Sequence, residues 1–254
     1  MAERRVTTVR VGHTSMQFSD SGAQKKSDAK RIFARAVQRK LSWLTGTEAG
    51  MGHSADLRRA LKKEAENTDY RFTVASDVWI AVRKDLILPK TWKRGFIQTL
   101  EANTGSKTFS DRGICWAQFE TARLGQVSVG VAHYMTDGRK PGDEYYNANT
   151  KLTRAIGEWG KIHGKGKAIC FFHGDANIPD RDMDVFRGQP FTTLADELKR
   201  WQNTGHGPID FIASYDADGR VKGKAWNVLD DKEFHLFTDH FACEGTYEVS
   251  YTQA

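Results

Sequence analysis

Carboxylate, imidazole and amide side chains cluster at five places in this sequence, and most of the clusters directly follow an apolar run typical of a β-strand. The clusters contain Glu48, His133, Asp175 with Asn177, Asp210, and Asp239 with His240. Carboxylate oxygens bind hard divalent cations, and an imidazole can exchange a proton near neutral pH. If the fold brings these side chains together, they could hold a metal ion and activate water for hydrolysis.

Most of the clusters also have a purely structural interpretation. Asp175 and Asn177 in the segment Gly174–Asn177 could form a turn, because such side chains hydrogen-bond to their own backbone. His133 could be a hydrogen-bonded structural residue, and Asp239 could cap a helix. Taken singly, these clusters leave both interpretations open.

Asp210 is the carboxylate that structure alone explains least easily. It lies in the run Pro208-Ile209-Asp210-Phe211-Ile212, and a buried carboxylate needs a partner to offset its loss of hydration. His240 is an available partner. Such a pair would fix the tautomer of the imidazole and strengthen it as a base.

The elements that must position these residues alternate along the whole chain without a linker or a repeat. Ten segments are predicted to be strands, on composition or on a two-residue alternation. They are Val6–Val11, Leu41–Thr47, Arg71–Val74, Val78–Arg83, Gly113–Phe119, Val127–His133, Lys167–Phe172, Ile209–Ser214, Val221–Asn227 and Thr246–Tyr251. Asp216-Ala217-Asp218-Gly219 is predicted to be a hairpin turn between two of them.

Four amphipathic helices are predicted between the strands. In the first, Ser27 is expected to cap a helix whose buried face carries Phe33, Val37 and Leu41. The second follows Ser54 through Leu57, Ala60 and Leu61, the third contains Leu152, Ile156 and Trp159, and the fourth begins at a Thr193–Asp196 capping box ahead of Leu198 and Trp201. This order predicts one α/β domain over residues 1–254, with sheets inside and helices outside.

The composition excludes several classes of protein. With 39% hydrophobic residues and 23 glycines in 254, the chain is neither disordered nor fibrous. Its longest apolar runs, such as Ala168–Phe172, are far short of the ~20 residues of a membrane span, and the N-terminus lacks the apolar core of a signal peptide. We therefore expect a cytoplasmic protein. The three cysteines are scattered and contain no Cys-x-x-Cys pair, so we expect buried free thiols.

The net charge of +6 is unevenly distributed along the chain. Residues 1–100 contain 20 basic and 10 acidic side chains, a net charge of +10, and residues 101–254 contain 18 and 22, a net charge of −4. A basic half favours a polyanionic partner, and an acidic half could hold a divalent cation. A solvated surface would explain the same imbalance.

Taken together and in this order, the clusters resemble the endonuclease/exonuclease/phosphatase superfamily, which includes DNase I and the exonuclease III-type abasic-site endonucleases. Glu48 matches the metal-binding glutamate after an early strand, and His133 matches the histidine that ends a central strand. The Gly-Asp-x-Asn signature, the Ile-Asp-Tyr-like strand and the Ser-Asp-His signature correspond to Gly174–Asn177, Ile209-Asp210-Phe211 and Thr238-Asp239-His240. The resemblance covers most of the chain, from about Val6 to Val249.

This resemblance implies a fold and a reaction. The fold is the DNase I-like α/β four-layer sandwich, in which two packed mixed β-sheets are flanked by helices. Glu48 and Asp239 would hold Mg2+ or Mn2+, and Asp210 would orient His240 as a general base or as a group that stabilises the phosphate. Asp175 and Asn177 would position the attacking water and the scissile group, and His133 would donate to a phosphate or leaving oxygen.

The chain departs from the family pattern at the end of the first predicted strand. The family has an asparagine there, whereas this sequence has Ser15 near the expected position and His13 close by. The acidic residue that supports the central histidine is also not fixed by the sequence, and Asp77 and Glu120 are both candidates.

We expect nucleic acid as the substrate, DNA or RNA, with no membrane, no evident protein partner and a monomeric chain. Basic residues of the first two helices could contact phosphates, notably Lys30, Arg31, Arg35 and Arg58. Trp43, Trp79 and Trp92 could stack on bases, although core packing explains their spacing as well.

The sequence also bears on three other functions. Family members that hydrolyse phosphoinositides, sphingomyelin or poly(A) show that another phosphoester could be the substrate. An inactive nucleic-acid-binding module of the same fold is a rival of a different class. A calcineurin-type phosphoesterase is disfavoured, because the sequence lacks an early Asp-x-His and a Gly-Asn-His-Asp run.

Overall fold

The architecture was obtained as a computed structural model, and it describes residues 4–16, 22–49, 54–101, 111–136, 141, 144–166, 168–177, 189–200, 202, 204, 210–229, 240 and 242–252. Twelve strands lie within these residues. They are β1 Arg4–Ser15, β2 Trp43–Thr47, β3 Tyr70–Ala75, β4 Val78–Arg83, β5 Lys93–Leu100, β6 Arg112–Thr121, β7 Gly125–His133, β8 Ile169–Asp175, β9 Thr192–Thr193, β10 Asp210–Tyr215, β11 Val221–Leu229 and β12 Ala242–Thr252. Four helices accompany them, namely α1 Gly22–Arg39, α2 Ser54–Asn67, α3 Glu144–His163 and α4 Leu194–Glu197, with a 3-10 turn at Lys84–Leu86.

The described strands form two six-stranded mixed sheets. The first has the order β11-β12-β1-β2-β4-β3 and the second has the order β5-β6-β7-β8-β10-β9. Within these sheets the β1–β2 and β7–β8 pairs are parallel, and the other pairs are antiparallel. Each sheet therefore has one pair of parallel strands near its middle, and the carboxyl ends of that pair lie at the same edge.

The two sheets pack face to face and the helices cover their outer faces. Val11 and Trp43 of the first sheet share the inner core with Val129 and Phe171 of the second. On one outer face, Phe33 of α1 and Leu61 of α2 pack against Trp79 of the first sheet. On the other, Trp159 of α3 packs against Phe172 of the second sheet. The predicted four-layer sandwich of two mixed sheets between helices is confirmed.

All ten predicted strands overlap a strand of the structure, and two strands were missed. Lys93–Leu100 forms β5 at an edge of the second sheet, where charged and exposed residues interrupt the apolar alternation. The two residues of β9 are too short for any pattern.

The predicted hairpin at Asp216–Gly219 is wrong. These residues do form a turn, because Gly219 has φ +64° and its N–H donates to the carbonyl of Asp216. However, β10 pairs with β8 and β9, whereas β11 pairs with β12 in the other sheet. The turn therefore carries the chain from one sheet to the other, and the turn chemistry alone could not reveal which strands pair.

The first helix also differs from its prediction. It begins at Gly22, so Ser27 lies inside α1 instead of capping it. Val37 is 51% exposed, and Leu41 lies beyond the helix end although it is buried as expected. The N-cap of α4 is confirmed, because the Thr193 hydroxyl accepts a hydrogen bond from the N–H of Asp196, but the helix is shorter than predicted and ends at Glu197.

The aromatic and sulfur-containing residues mostly serve the core. Trp43 and Trp79 are buried and Trp92 packs beside Phe119, so core packing explains the first two. Trp201 lies outside the described residues. The three cysteines are buried free thiols, as predicted. Among the described residues, no helix is both long enough and apolar enough to cross a membrane.

Candidate active site

The strand ends place most of the predicted site residues at one edge of the sandwich. Ser15 ends β1 and Glu48 directly follows β2, and these two strands are parallel. His133 and Asp175 end the parallel strands β7 and β8 and are register partners. Asp210 begins the antiparallel strand β10 opposite Asp175. The site is therefore built from both sheets.

One group of ligand atoms lies where the two sheets meet. Glu48, His133 and Asp175 each offer an atom within 4.8 Å of the others. The Nε2 atom of His133 is 3.6 Å from Asp175 Oδ2 and 3.9 Å from Glu48 Oε1. These distances are too long for hydrogen bonds, so they leave room for an ion or a substrate atom between the groups.

A second group shares Asp175 and adds Asp210 and His240. His240 Nδ1 lies 2.8 Å from Asp210 Oδ2, which is a hydrogen bond between a buried carboxylate and a buried imidazole. The opposite ring nitrogen, Nε2, lies 4.0 Å from Asp175 Oδ2. The structure thus brings together the two residues that the sequence paired on the ground of desolvation.

The support of the central histidine comes from Asp77. His133 Nδ1 lies 2.6 Å from Asp77 Oδ2, whereas the other candidate, Glu120, lies exposed on β6. The same carboxylate oxygen accepts a hydrogen bond from the buried Arg112. Arg112 belongs to no sequence motif, and only the fold brings it to Asp77, so its role was not predicted.

The Gly-Asp-x-Asn segment is both a turn and part of the site. Asn177 has φ +53°, a conformation that asparagine tolerates, and its N–H donates to Asp175 Oδ1 at 2.8 Å. Its amide nitrogen donates to the carbonyl of Tyr134 at 2.9 Å. The turn therefore holds the Asp175 carboxylate and fixes the Asn177 side chain beside the residue that follows His133.

The sequence resemblance places an asparagine at the end of the first strand, and in this structure Ser15 and His13 lie there, two residues apart on β1. Ser15 Oγ donates to Asp175 Oδ2 at 3.4 Å and accepts from Thr47 at 2.8 Å. His13, two residues earlier on β1, has its Nε2 atom 3.5 Å from Asp210 Oδ1. Both predicted substitutes therefore contact a site carboxylate.

Burial and mutual charge shift the pKa values of the site residues in opposite directions. Burial would raise the pKa of Asp210, but the adjacent His13 and the hydrogen-bonded His240 outweigh it and lower that pKa to about 2. Burial would lower the pKa of His240, but the hydrogen bond to Asp210 and the nearby carboxylates raise it to about 10. Burial together with the charge of Asp210 raises the pKa of Asp175 to about 7.

The donor set fits a hard divalent cation. Glu48 Oε2 and His133 Nε2 are buried atoms with no hydrogen-bond partner among the described residues, and such atoms are costly unless something binds them. Carboxylate oxygens with one imidazole suit Mg2+ or Mn2+. Asp239, the other predicted metal ligand, lies outside the described residues.

The four predicted nucleic-acid contacts differ in their surroundings. Lys30 and Arg31 are exposed on α1. Arg35 forms an ion pair with the buried Glu244 at 2.9 Å. Arg58 of α2 donates to the carbonyl of Ala49 at 3.1 Å and also to the carbonyl of Ser76.

Comparison with solved structures identifies the fold. D. rerio TDP2 complexed with a single-strand DNA product matches with a TM-score of 0.70 and 15% identity over 95% of this chain and 99% of that chain. An endonuclease/exonuclease/phosphatase from Bacteroides vulgatus matches with a TM-score of 0.71 and 16% identity over 96% and 99%. A mannosyl-6-phosphatase from Bacteroides thetaiotaomicron matches with a TM-score of 0.66 and 16% identity over 94% and 99%.

The protein therefore has the endonuclease/exonuclease/phosphatase fold, as its sequence motifs predicted. At these identities the likeness establishes the fold and not the substrate. No protein-family model matches the sequence, and no curated protein matches it either.

Proposed function

We propose that this protein is a divalent-metal-dependent phosphodiester hydrolase and that its substrate is nucleic acid. The observation that carries the proposal is the convergence of Glu48, His133, Asp175, Asp210 and His240 at one edge of the sandwich. Residues 1–254 would form one domain, since this site needs strands from both sheets.

The metal would be Mg2+ or Mn2+, held by Glu48 with Asp239. Bound there, it would neutralise phosphate charge and polarise the oxygen atoms on phosphorus. The unpartnered Glu48 Oε2 atom and the distances around His133 Nε2 support a cation at this place.

His240 would stabilise the phosphate. In the metal-free protein the hydrogen bond to Asp210 and the nearby carboxylates raise the pKa of His240 to about 10, so the imidazole there carries both protons at neutral pH. Nδ1–H is used by Asp210, so Nε2–H remains to donate to a phosphate oxygen. Of the two roles that the resemblance leaves open for His240, the raised pKa favours this one over that of a general base.

Asp175 is the better candidate for the base that takes a proton from the attacking water. General-base catalysis is most effective when the pKa of the base lies near the working pH, and that of Asp175 is raised to about 7. Asn177 holds the Asp175 carboxylate through its backbone N–H. His133, whose Nδ1 is held by Asp77, would donate from Nε2 to a phosphate or leaving oxygen when it is protonated.

Two observations support nucleic acid as the substrate. The first hundred residues have a net charge of +10, and Lys30 and Arg31 present exposed positive charge on α1. A solved structure of the same fold contains a single-strand DNA product. A phosphosugar is the second candidate, since a mannosyl-6-phosphatase has this fold too.

A substrate panel in Mg2+ and in Mn2+ tests the proposal. It contains single- and double-stranded DNA, an abasic-site duplex, RNA, inositol and sugar phosphates, and bis-p-nitrophenyl phosphate. We expect hydrolysis of nucleic acid that a chelator abolishes, and a loss of at least ~100-fold in Glu48→Gln and in His240→Gln with the fold intact by circular dichroism. Hydrolysis of sugar or inositol phosphates only would exclude the nuclease assignment, and no turnover on any substrate would favour a binding module.

A further inference from the structure

The Asp210 carboxylate is contacted by two histidines, one on each oxygen. Oδ2 accepts from His240 Nδ1 at 2.8 Å, and Oδ1 lies 3.5 Å from His13 Nε2. The side chains of His13 and Asp210 are completely buried. His13 Nε2 and Asp210 Oδ1 have no hydrogen-bond partner among the described residues, so this close charge contact is what restrains the oxygen not used by His240.

The other ring nitrogen of His13 is held by a threonine. His13 Nδ1 lies 2.8 Å from Thr45 Oγ1, and the two residues are register partners on the parallel strands β1 and β2. The same hydroxyl lies 2.9 Å from His173 Nδ1 on β8 of the second sheet. A hydroxyl has one proton, so Thr45 donates to one imidazole and accepts from the other.

These contacts form a buried polar chain from His173 through Thr45 and His13 to Asp210. The rings of His13 and His173 are nearly perpendicular, with centroids 6.1 Å apart, and the Thr45 hydroxyl contacts the Nδ1 atom of each ring. Among the described residues, His13 belongs to neither group that could hold a metal. Any effect of His13 on the reaction must therefore pass through Asp210.

We propose that His13 is a positioning residue for the Asp210–His240 pair, and that the Thr45 hydroxyl fixes the imidazole of His13 in the orientation this requires. The inference rests on the proposed function, in which Nε2–H of His240 points at the phosphate. With Oδ1 restrained, the carboxylate keeps one rotamer and His240 one direction. Without that restraint the carboxylate can rotate, and productive geometry is lost although every catalytic residue remains.

The test compares Thr45→Val with Thr45→Ser. Valine keeps the shape of threonine but has no hydroxyl, whereas serine keeps the hydroxyl and loses a methyl group. With bis-p-nitrophenyl phosphate, we expect Thr45→Val to lower kcat by ~10-fold or more with KM within about twofold of wild type, and Thr45→Ser to keep kcat within about threefold. Equal activity in the two variants would overturn the proposal.

A second readout does not depend on turnover. In the metal-free protein, the His240 Nδ1 proton in its hydrogen bond to Asp210 should give a far-downfield proton NMR signal. We expect this signal in wild type and in Thr45→Ser, and its broadening or loss in Thr45→Val. An unchanged signal in Thr45→Val would overturn the inference, whereas absence of hydrolysis by the wild-type protein would overturn the proposed function alone.

A second pair of variants covers poor folding of Thr45→Val. His13→Gln keeps an N–H that can reach Asp210, and His13→Met has similar length but no donor. We expect the glutamine variant to retain at least ~5-fold more kcat than the methionine variant at similar thermal stability. Equal losses in both would show that the side chain at position 13 only fills space.

Discussion

His133 Nδ1 and Asp77 Oδ2 lie 2.6 Å apart although 56 residues separate them in the sequence. Asp77 lies in the turn between β3 and β4, and Arg112 donates to the same oxygen atom from β6. Burial would raise the pKa of Asp77, but His133 and Arg112 outweigh it and lower that pKa below its ordinary value. Asp77, itself held by Arg112, therefore fixes Nδ1 of His133 so that Nε2 faces the site.

Asp77→Asn is expected to lower kcat by roughly 10- to 100-fold, because the asparagine amide can donate a hydrogen bond to Nδ1 and so favour the wrong tautomer of His133. Steady-state kinetics on the best substrate of the panel measures this. Glu120→Gln is the matched control, since it removes the other candidate carboxylate at an exposed position. Equal activity of Asp77→Asn and wild type would show that His133 needs no such support.

The Asp210–His240 pair should make the stability of the metal-free protein depend on pH. The folded-state pKa of His240 is about 10 against an ordinary value of 6.5, so its contribution is complete below pH 6.5 and is lost as the pH rises towards 10. The folded-state pKa of Asp210 is about 2 against 3.8, so its contribution is complete above 3.8 and is lost as the pH falls towards 2. The pair is therefore most stabilising between these two ordinary values.

Thermal unfolding in a chelator tests this dependence. The Tm of wild type should exceed that of His240→Gln by more at pH 6 than at pH 9, and the excess should shrink by at least ~3 °C. An excess that is the same at both values would mean that the pKa of His240 is not raised by Asp210.

Arg58 is expected to support the site instead of contacting phosphate. Its two hydrogen bonds join the carbonyl of Ala49, next to Glu48, to that of Ser76, next to Asp77. Arg58→Met should therefore lower both Tm and kcat, the latter by ~10-fold, through displacement of these two loops.

The neighbouring Arg59 provides the control for Arg58. It is exposed and pairs with Asp56 on the same helix, so Arg59→Met should leave Tm within about 1 °C of wild type. If Arg58 instead contacts phosphate, Arg58→Met would keep the Tm of wild type and would lower the slope of log K against log salt for DNA binding by about one.

The exposed basic residues of α1 should contribute to nucleic-acid affinity. Lys30→Gln combined with Arg31→Gln is expected to weaken DNA binding and to reduce the slope of log K against log salt by one to two, as measured by fluorescence anisotropy. Lys161→Gln, on the opposite outer layer in α3, should change neither value. A slope unaffected by the α1 substitutions would mean that this face contacts only solvent.

The sequence was sufficient for most strands because their apolar residues alternate or run continuously, as in Val127–His133 and Ile169–Phe172. It could also pair Asp210 with His240, since a carboxylate in an apolar strand requires a partner. Strand pairing could not be predicted from the sequence, because local turn chemistry does not determine which strands become neighbours. The misassigned turn at Asp216–Gly219 is an example.

The residues that support the site were harder to predict from the sequence than the residues expected to contact metal or phosphate. Arg112 and Thr45 belong to no recognisable motif, and each reaches its partner only through strand register or sheet packing. Asp77 was one of two candidates, and nothing in its local sequence separates it from Glu120. Such long-range contacts follow from tertiary packing and leave no periodic signal along the chain.

The pairing of β1 with β12 implies an order of folding. Arg4 is the register partner of Thr252, so the central strand β1 cannot complete its pairing until residues almost 250 positions later have been synthesised. The second sheet draws on β5 to β10 and closes shorter loops, so we expect it to form earlier during synthesis. Contacts between the sheets, such as that of Ser15 with Asp175, should then arise last, and catalytic competence would mark the completion of folding.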